Sequence, residues 1–280
     1  MPSYDLHSHS TVSDGSLSPT DLVFYAAAQG VDALALTDHD DVSGLAEARK
    51  AADEAGIRLV NGVEISVTWR KRTVHIVGLR IDPAHPDLLQ GLDVLRQSRV
   101  VRAEKMADEL SKAGIEGSLA GAYAYASDRI ISRTHFARFL VERGYAKDFK
   151  SVFKKYLVQG KPGYVPHQWA DMAEAVSWIT GSGGVAVLAH PGRYDLGRTN
   201  LQLLLAEFKE CGGIGLEVIS GSHSADMNRH FTEQARLLDF LASRGSDYHG
   251  PEQNYLDMRR LPPLPDACTP IWQAWDGFDD

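Results

Sequence analysis

Two histidines stand two residues apart near the start of the chain, in the run Asp5-Leu6-His7-Ser8-His9. The alternation of apolar and polar residues before them predicts a short strand that runs into a loop. Because side chains at positions i and i+2 of a strand point to the same face, we expect His7 and His9 to converge on one point. Two neutral imidazoles in that arrangement can bind one metal ion, although histidines at strand ends also serve as hydrogen-bonded surface groups.

Groups of the same chemical kind recur wherever a further strand is predicted to end. Six imidazoles and three carboxylates are found at such positions: His7, His9, Asp14, His39, Glu64, His75, His190, Asp247 and His249. Nine such groups exceed what one or two ions need. The pattern therefore predicts three ions that share bridging carboxylates.

The elements that must position these groups alternate along the chain. Apolar runs predict strands at residues 31–37, 57–65, 73–79, 184–189 and 215–219. Helical patterns lie between and after them, at residues 18–30, 43–55, 199–211 and 224–242. Alternating strands and helices predict parallel strands joined by right-handed crossovers. In such folds functional groups gather at the carboxyl ends of the strands.

This alternation is interrupted over residues 91–165, which we interpret as an all-helical insertion. Helices are predicted at residues 87–113, 130–143 and 148–157, and no strand is predicted between them. The insertion carries 14 Lys and Arg against 8 Asp and Glu, whereas the whole chain has a net charge of -8. A basic segment on an acidic body suits a flap that grips an anion, although the same charges could simply line a solvated helical face.

Composition narrows the class of protein. The chain has 280 residues, of which 44% are hydrophobic and 24% charged, as in ordinary globular proteins. No apolar run approaches the roughly 20 residues of a membrane span, and the start resembles no signal peptide, so we expect a cytoplasmic protein with no membrane role. Cys211 and Cys268 suggest neither a disulfide framework nor a thiolate site, so nitrogen and oxygen must hold any metal. No feature indicates an obligate protein partner.

The order and spacing of these motifs resemble the PHP (polymerase and histidinol phosphatase) family of metal-dependent phosphoesterases. The resemblance spans almost the whole chain and rests on His7-Ser8-His9, Ser13-Asp14-Gly15, Thr37-Asp38-His39, Gly62-Val63-Glu64, His75, Ala189-His190-Pro191 and Ser246-Asp247-Tyr248-His249. It implies an α/β fold, a distorted (β/α)7 barrel formed by residues 1–90 and 166–280, with residues 91–165 as a helical cap.

The resemblance also implies how a trinuclear centre would be held. One ion would bind His7, His9, Glu64 and Asp247; a second Glu64, His75 and His190; and a third Asp14, His39 and His249. Some relatives carry a histidine at the position of Asp14, so the third site should favour a harder ion than zinc. We expect three divalent ions, manganese before iron or zinc. Such ions lower the pKa of a bridging water from about 15.7 towards neutrality, which would make a metal-bound hydroxide the nucleophile.

The insertion contains the unusual run Arg129-Ile130-Ile131-Ser132-Arg133-Thr134-His135-Phe136-Ala137. If a helix begins this early, Arg129 and Arg133 share one face, and two guanidiniums beside a helix N-terminus form a good phosphate clamp. Salt bridges to Asp128 or Glu142 are the alternative.

This signature resembles the PHP subgroup that acts on nucleoside 3',5'-bisphosphates, some relatives of which trim short RNA. The resemblance implies removal of the 3'-phosphate at the metals while the arginines hold the 5'-phosphate. Arg193 and Lys161 are further candidate phosphate contacts. His135 could donate to phosphate or act as an acid.

Three other functions remain open at this point. The same site could serve a 5'-to-3' exoribonuclease that degrades short RNA. A histidinol-phosphate phosphatase would act on a small cationic substrate, which the basic insertion disfavours. A non-catalytic PHP module that only binds a partner would be expected to lack some of the nine candidate ligands, and none is missing.

Overall fold

Seven strands form one sheet whose spatial order follows the order of the chain. The computed structural model describes residues 2–126, 130–251 and 256–275. The strands are β1 (Tyr4–Asp5), β2 (Ala33–Leu36), β3 (Arg58–Trp69), β4 (Arg72–Leu79), β5 (Val185–Leu188), β6 (Gly215–Ser220) and β7 (Leu241–Gly245). The backbone N-H of Leu6 donates to the carbonyl of Arg244 at 2.9 Å, which joins the first strand to the last. This nearly closed sheet confirms the expected distorted barrel of seven strands.

One strand runs against the expected direction. β1, β2 and β3 are parallel, and so are β5, β6 and β7, but β4 is antiparallel to both of its neighbours. The prediction of parallel strands throughout is therefore wrong for β4. Arg70 and Lys71 link β3 to β4 in a tight turn with φ values of 46° and 65°, and a two-residue hairpin leaves no room for a crossover helix.

Nine α-helices lie within the described residues. They are α1 (Pro19–Ala28), α2 (Leu45–Ala55), α3 (Pro86–Lys112), α4 (Ser118–Tyr123), α5 (Arg133–Glu142), α6 (Phe149–Val152), α7 (Met172–Gly181), α8 (Arg198–Glu210) and α9 (Ala225–Leu237). Local sequence signals explain several ends. Ser18 caps α1 by accepting from the backbone N-H of Asp21 at 3.0 Å, and Gly56 ends α2 in a left-handed conformation with φ of 71°.

Two predicted helices have different bounds in the structure. α9 ends at Leu237 rather than at residue 242, because Asp239 adopts a left-handed φ of 54° and Leu241 begins β7. α5 begins at Arg133 rather than at residue 130, because Ser132 takes the N-cap position. A helix at Arg133 no longer includes Arg129, which lies outside the described residues.

The long helix α3 belongs to two hydrophobic cores. Its first half contributes Leu88 and Leu92 to the core between the barrel and its surrounding helices. Its second half contributes Met106 to a separate core of the insertion, which also contains Phe136 and Leu157. No strand is found between residues 91 and 165 in the part of that segment that the structure describes. One continuous helix thus connects the two hydrophobic cores.

The C-terminal segment packs irregularly on the barrel, as expected. Short 3-10 turns lie at Met258–Arg260 and Ile271–Ala274. The ring of Trp272 stacks on Tyr4 with centroids 4.0 Å apart, and Ile271 is buried in the barrel interior. In the described ranges, no helix has both the length and the apolar character needed to cross a bilayer.

Candidate metal centre

The nine side chains singled out in the sequence come together at one rim of the barrel. Most of them directly follow a strand: His7 and His9 follow β1, His39 follows β2, His190 follows β5, and Asp247 and His249 follow β7. Glu64 lies inside β3, because that strand continues past the rim into the hairpin. His75 lies early in β4, because an antiparallel strand begins where its neighbours end. Parallel strands and the antiparallel strand β4 thus place candidate ligands at the same rim of the barrel.

The Glu64 carboxylate is the centre of this group and is completely buried. Its Oε1 lies 2.8 Å from Nδ1 of His75, 3.0 Å from Nε2 of His190 and 3.3 Å from Nε2 of His7. Its Oε2 lies 2.8 Å from Nδ1 of His39. Each oxygen of one carboxylate is therefore shared among several imidazoles, which is the geometry of a bridging ligand.

Two further carboxylates flank Glu64. Asp247 Oδ1 lies 3.2 Å from Nε2 of His9, which is itself 3.3 Å from Oε2 of Glu64. On the other side, Asp14 Oδ1 lies 3.2 Å from Nε2 of His249. The site therefore contains three separated carboxylates, each in contact with imidazole nitrogens.

Within the described residues, candidate ligand atoms fall into three groups, each with its atoms within 4.8 Å of one another. The groups are His7, His9, Glu64 and Asp247; His39, Glu64 and His75; and His9, Asp14, His39 and His249. The first is the set that family resemblance implies. The second contains His39 rather than His190, although His190 contacts Glu64 directly, and the third adds His9. His9, His39 and Glu64 each belong to two of these groups.

Several of these ligand atoms are buried without a hydrogen-bond partner among the described residues. They are Nε2 of His7, Nδ1 and Nε2 of His9, Oδ1 of Asp14, Nδ1 of His39, Oε2 of Glu64 and Nδ1 of His75. Buried polar atoms are normally satisfied, because leaving one unpaired costs about 1 to 3 kcal/mol. Nitrogen and oxygen atoms that crowd together yet make no hydrogen bonds fit divalent cations well.

Protonation states at the site also suit cations. Burial lowers the pKa of His9 to about 3 with the help of His249, and burial and Arg193 lower that of His190 to about 3. Burial opposes ionisation of Glu64, but the surrounding histidines, His75 first, hold its pKa well below the usual range. Neutral imidazoles and ionised carboxylates are the forms that bind metals.

Two other groups would carry positive charge themselves. Burial disfavours charge on His249, but Asp14 and Asp247 outweigh it and raise its pKa to about 9. Burial likewise opposes charge on His7, whose pKa is nevertheless well above its ordinary value because of Glu64 and other carboxylates. The carboxylates thus stabilise positive charge on these two histidines. Divalent cations would supply that charge in place of the protons on the imidazoles.

Buried hydrogen bonds orient the ligand-bearing loops. Asp38 accepts from the Ser10 backbone at 2.8 Å and from the hydroxyls of Ser10 and Ser13 at 2.7 and 2.6 Å, which fixes the loop before Asp14. The hydroxyl of Ser8 donates to the carbonyl of Ala35 at 2.7 Å. These serines are therefore structural parts of the loop.

Two supporting residues near His190 carry no signal in the sequence. Glu217 accepts from the backbone N-H of His190 and lies 3.4 Å from Nδ1 of His7. His223 accepts at Nε2 from the backbone N-H of Gly192 at 3.1 Å, and its Nδ1 donates to the carbonyl of Val218 at 3.2 Å. Such roles depend on contacts between distant segments, and nothing in the local sequence indicates them.

A cavity opens over the candidate metal ligands, and four arginines line it: Arg99, Arg102, Arg133 and Arg193. Arg99 is neutralised by Asp40, to which its Nε donates at 2.8 Å. Arg193 pairs with the carboxylate of Asp247. The second pair therefore includes a candidate metal ligand, Asp247.

Arg102 and Arg133 differ from the other two arginines, because neither has a carboxylate ion-pair partner among the described residues. Burial, together with Arg133 and Arg99, lowers the pKa of Arg102 to about 9. Burial and neighbouring arginines also lower the pKa of Arg133. Two guanidiniums without an ion-pair partner are suited to binding an anion.

Two further predicted substrate contacts, Lys161 and His135, do not line the cavity. Lys161 is exposed and lies outside the residues that line the cavity. His135 does not line the cavity either: it is buried, its Nδ1 accepts from the backbone N-H of Ser132 at 3.1 Å, and burial lowers its pKa to about 4. Helical periodicity puts Arg99 and Arg102 on a polar face, yet only 5% and 9% of their surfaces are exposed.

Comparisons with known proteins agree with this geometry. The PHP domain model matches residues 5–219. A 3',5'-nucleoside bisphosphate phosphatase from Chromobacterium violaceum is 52% identical over 98% of this chain and 96% of its own length. A 5'-3' exoribonuclease from Escherichia coli is 44% identical over 98% of this chain and 94% of its own length.

Solved structures are similar to this chain over nearly its whole length. An amidohydrolase from Chromobacterium violaceum with bound sulfate superposes with a TM-score of 0.93 at 51% identity, covering 97% of this chain and 95% of the other. A putative metal-dependent phosphoesterase from Bifidobacterium adolescentis superposes with a TM-score of 0.82 at 27% identity, covering 98% and 94%.

Proposed function

The chain belongs to the PHP domain family, and from that premise we propose that it is a metal-dependent phosphomonoesterase acting on nucleoside 3',5'-bisphosphates. The reaction is hydrolysis of the 3'-phosphate ester, which gives a 5'-mononucleotide and inorganic phosphate. The relative named 3',5'-nucleoside bisphosphate phosphatase, at 52% identity over nearly the whole chain, supports this assignment.

One observation supports the proposal: the two sides of the same cavity differ in their chemistry. One side is formed by the cluster around Glu64, which suits cations. The other includes Arg102 and Arg133, which form no ion pair with a carboxylate among the described residues. A substrate with two phosphates would engage both sides at once. A simple monophosphate would leave one of them unused.

We assign three divalent cations to the cluster, held by the nine candidate ligands. The donor set mixes imidazole nitrogens with carboxylate oxygens, and such a set accommodates manganese as well as iron or zinc. Asp14 in the third group favours the harder ions. When bound, the cations supply Lewis-acid activation of water and neutralise charge on the phosphoryl group.

The chain's own residues bind and orient the substrate in this proposal. Arg102 and Arg133 hold the phosphate that remains on the nucleotide, by charge-assisted hydrogen bonds from planar guanidiniums. Arg193 orients the carboxylate of Asp247 and remains a candidate for contact with the phosphate being removed. The helical insertion of residues 91–165 acts as a cap, since it supplies both Arg102 and Arg133.

A 5'-3' exoribonuclease activity on short RNA is a second candidate. Curated relatives from Escherichia coli and Haemophilus influenzae carry that name, at 44% and 42% identity. RNA with a 5'-phosphate presents the same pair of groups as a bisphosphate, a terminal phosphate and a phosphorylated 3'-oxygen. Histidinol phosphate is disfavoured, because its cationic amine would face the arginines of the cavity.

Product analysis tests the proposed reaction. Protein loaded with manganese should convert adenosine 3',5'-bisphosphate into adenosine 5'-monophosphate and phosphate, as read by chromatography against both monophosphate isomers. Formation of the 3'-monophosphate would reverse the assignment of the two phosphate positions. Turnover of histidinol phosphate without turnover of the bisphosphate would overturn the proposal, and faster turnover of a 5'-phosphorylated trinucleotide would favour the exoribonuclease.

A further inference from the structure

The first turn of α5 belongs to the insertion, yet it contacts the barrel loop that carries Asp14. The hydroxyl of Ser132 donates to Oδ2 of Asp14 at 3.0 Å, and both residues are buried. Arg138 of the same helix donates from Nη2 to the backbone carbonyl of Asp14 at 3.2 Å. The insertion therefore holds a candidate metal ligand at both its side chain and its backbone.

The two carboxylate oxygens of Asp14 have different surroundings. Oδ1 lies 3.2 Å from Nε2 of His249 and 3.9 Å from Nε2 of His39, and it has no hydrogen-bond partner among the described residues. Oδ2 is bound by Ser132. One oxygen thus faces the candidate cation site while a hydroxyl fixes the other, which is how supporting residues orient carboxylate ligands.

The other hydrogen bonds of Ser132 do not use its hydroxyl hydrogen, which is therefore available to Asp14. Its Oγ accepts from the backbone N-H of Thr134 at 3.1 Å, as an N-cap does. Its backbone N-H donates to Nδ1 of His135 at 3.1 Å, and the ring of His135 also bonds to the backbone of Ser13, next to Asp14. The single hydroxyl hydrogen is therefore directed at Asp14. The hydrogen bonds to Thr134 and His135 fix the turn that carries it.

We propose that Ser132 is a positioning residue for Asp14, so that binding of a cation by Asp14, His39 and His249 depends on the helical insertion. This inference rests on the proposed metal centre. Arg133 follows Ser132 directly and lines the substrate cavity. The same helical turn therefore supports a metal ligand and presents a phosphate-binding guanidinium, which couples the occupancy of the two sites.

Metal binding, rather than turnover, provides the test. Purified full-length protein is stripped with a chelator and titrated with manganese by calorimetry, and the ions retained after dialysis are counted by mass spectrometry. Ser132→Ala should weaken the binding of one ion, the one that Asp14 would hold, by about 10-fold to 100-fold, the usual effect of removing a residue that orients a ligand. Ser132→Thr keeps the hydroxyl and should bind all ions with nearly wild-type affinity.

Two controls separate ligand orientation from helix capping. Ser118→Ala removes another buried serine hydroxyl of the insertion, at the start of α4, and should leave manganese binding unchanged. Glycine is tolerated at an N-cap nearly as well as serine, so Ser132→Gly preserves the start of α5 but cannot donate to Asp14. It should keep the wild-type helix content by circular dichroism and still lose the same ion.

Asp14→Ala distinguishes failure of this inference from failure of the proposed metal centre. If Asp14→Ala binds as many ions as the wild type, with equal affinity, Asp14 is not a ligand and the assigned third site and its positioning by Ser132 both fall. If Asp14→Ala loses an ion but Ser132→Ala and Ser132→Gly do not, the proposed metal centre is still supported. Ser132 is then only a helix cap, and the inference is overturned.

Discussion

Nδ1 of His75 lies 2.8 Å from Oε1 of Glu64, although the two residues stand on strands that run in opposite directions. In the β3–β4 register, Glu64 faces Val77 and His75 faces Ser66, so Glu64 and His75 are diagonal neighbours on one face of the hairpin. The antiparallel strand places an imidazole from near its amino end at this rim. Parallel strands could place one there only from their carboxyl ends. Glu64 thereby contacts groups from both sides of the barrel.

Replacing Glu64 with glutamine should cause the protein to lose more than one of its metal ions. The amide keeps the shape of the side chain but removes the negative charge that five neighbouring histidines share, and an amide bridges cations poorly. We expect kcat/KM for adenosine 3',5'-bisphosphate to fall by at least about 100-fold, with fewer ions retained after dialysis. Glu47→Gln, an equal change of charge on the exposed face of α2, should leave both measurements unchanged. Wild-type metal content in Glu64→Gln would remove Glu64 from the ligand set.

Removal of metal should lower the thermal stability of the protein. Without cations, buried carboxylates and imidazoles remain crowded together with unpaired atoms. One ligand present at 100 times its dissociation constant stabilises a fold by about 2.7 kcal/mol, which for a chain of this size raises Tm by roughly 5 °C. Melting curves with a chelator and after readdition of manganese measure this shift. Glu64→Gln should respond much less to both treatments, and equal shifts in the two proteins would place the stabilising ions elsewhere.

The rim residues could be predicted because their chemistry is local. His7, His39 and His190 each follow an apolar run, and a metal-binding side chain directly after a buried strand is typical of a site at the strand end. His75 is predicted at the correct rim for a wrong reason, because the prediction assumes that its strand is parallel to its neighbours. Arg70 and Lys71 form the turn that reverses the chain, and two basic residues carry none of the glycine or asparagine signal that usually marks such a turn.

The arginines of the cavity could be predicted only in part. Arg133 stands in a recognisable motif, whereas Arg102 occupies a helix position that looks solvated in the sequence. Its burial depends on Trp169, whose ring lies 5.3 Å from the guanidinium carbon and comes from a segment more than 60 residues away. Contacts of that kind are determined by the tertiary fold, so helical periodicity cannot reveal them. The supporting roles of His223 and Glu217 are hidden from the sequence for the same reason.

Arg133→Ala should raise KM for nucleoside bisphosphates selectively. A charge-assisted hydrogen bond to phosphate contributes about 1.5 to 3 kcal/mol, so KM should rise by roughly 10-fold to 100-fold while kcat changes little. Hydrolysis of a simple aryl phosphate, which has no second phosphate, should stay within about threefold of wild type. Arg143→Ala, at the exposed C-terminal end of α5, is the matched control. Equal losses on both substrates would mean that Arg133 has a structural role.

His223 should make the fold sensitive to mild acid. Burial, with a contribution from Arg193, lowers its pKa to about 4, and protonation of Nε2 would break the hydrogen bond from Gly192. The unfolded chain takes up this proton near its ordinary pKa of about 6.5. His223 therefore causes folding stability to fall as the pH drops from 6.5 towards 4, by on the order of 2 kcal/mol at pH 5.

The variant His223→Gln isolates this effect from that of the other buried histidines. In urea denaturation of chelator-treated protein, the loss of unfolding free energy between pH 7 and pH 5 should be smaller in His223→Gln than in wild type, because the titrating group is gone. His230→Gln, at an exposed position of α9, should keep the wild-type pH dependence. If His223→Gln loses as much stability on acidification as wild type, His223 takes up its proton equally in the folded and unfolded states. The hydrogen bond from Gly192 would then not be what holds the loop that carries His190 and Arg193.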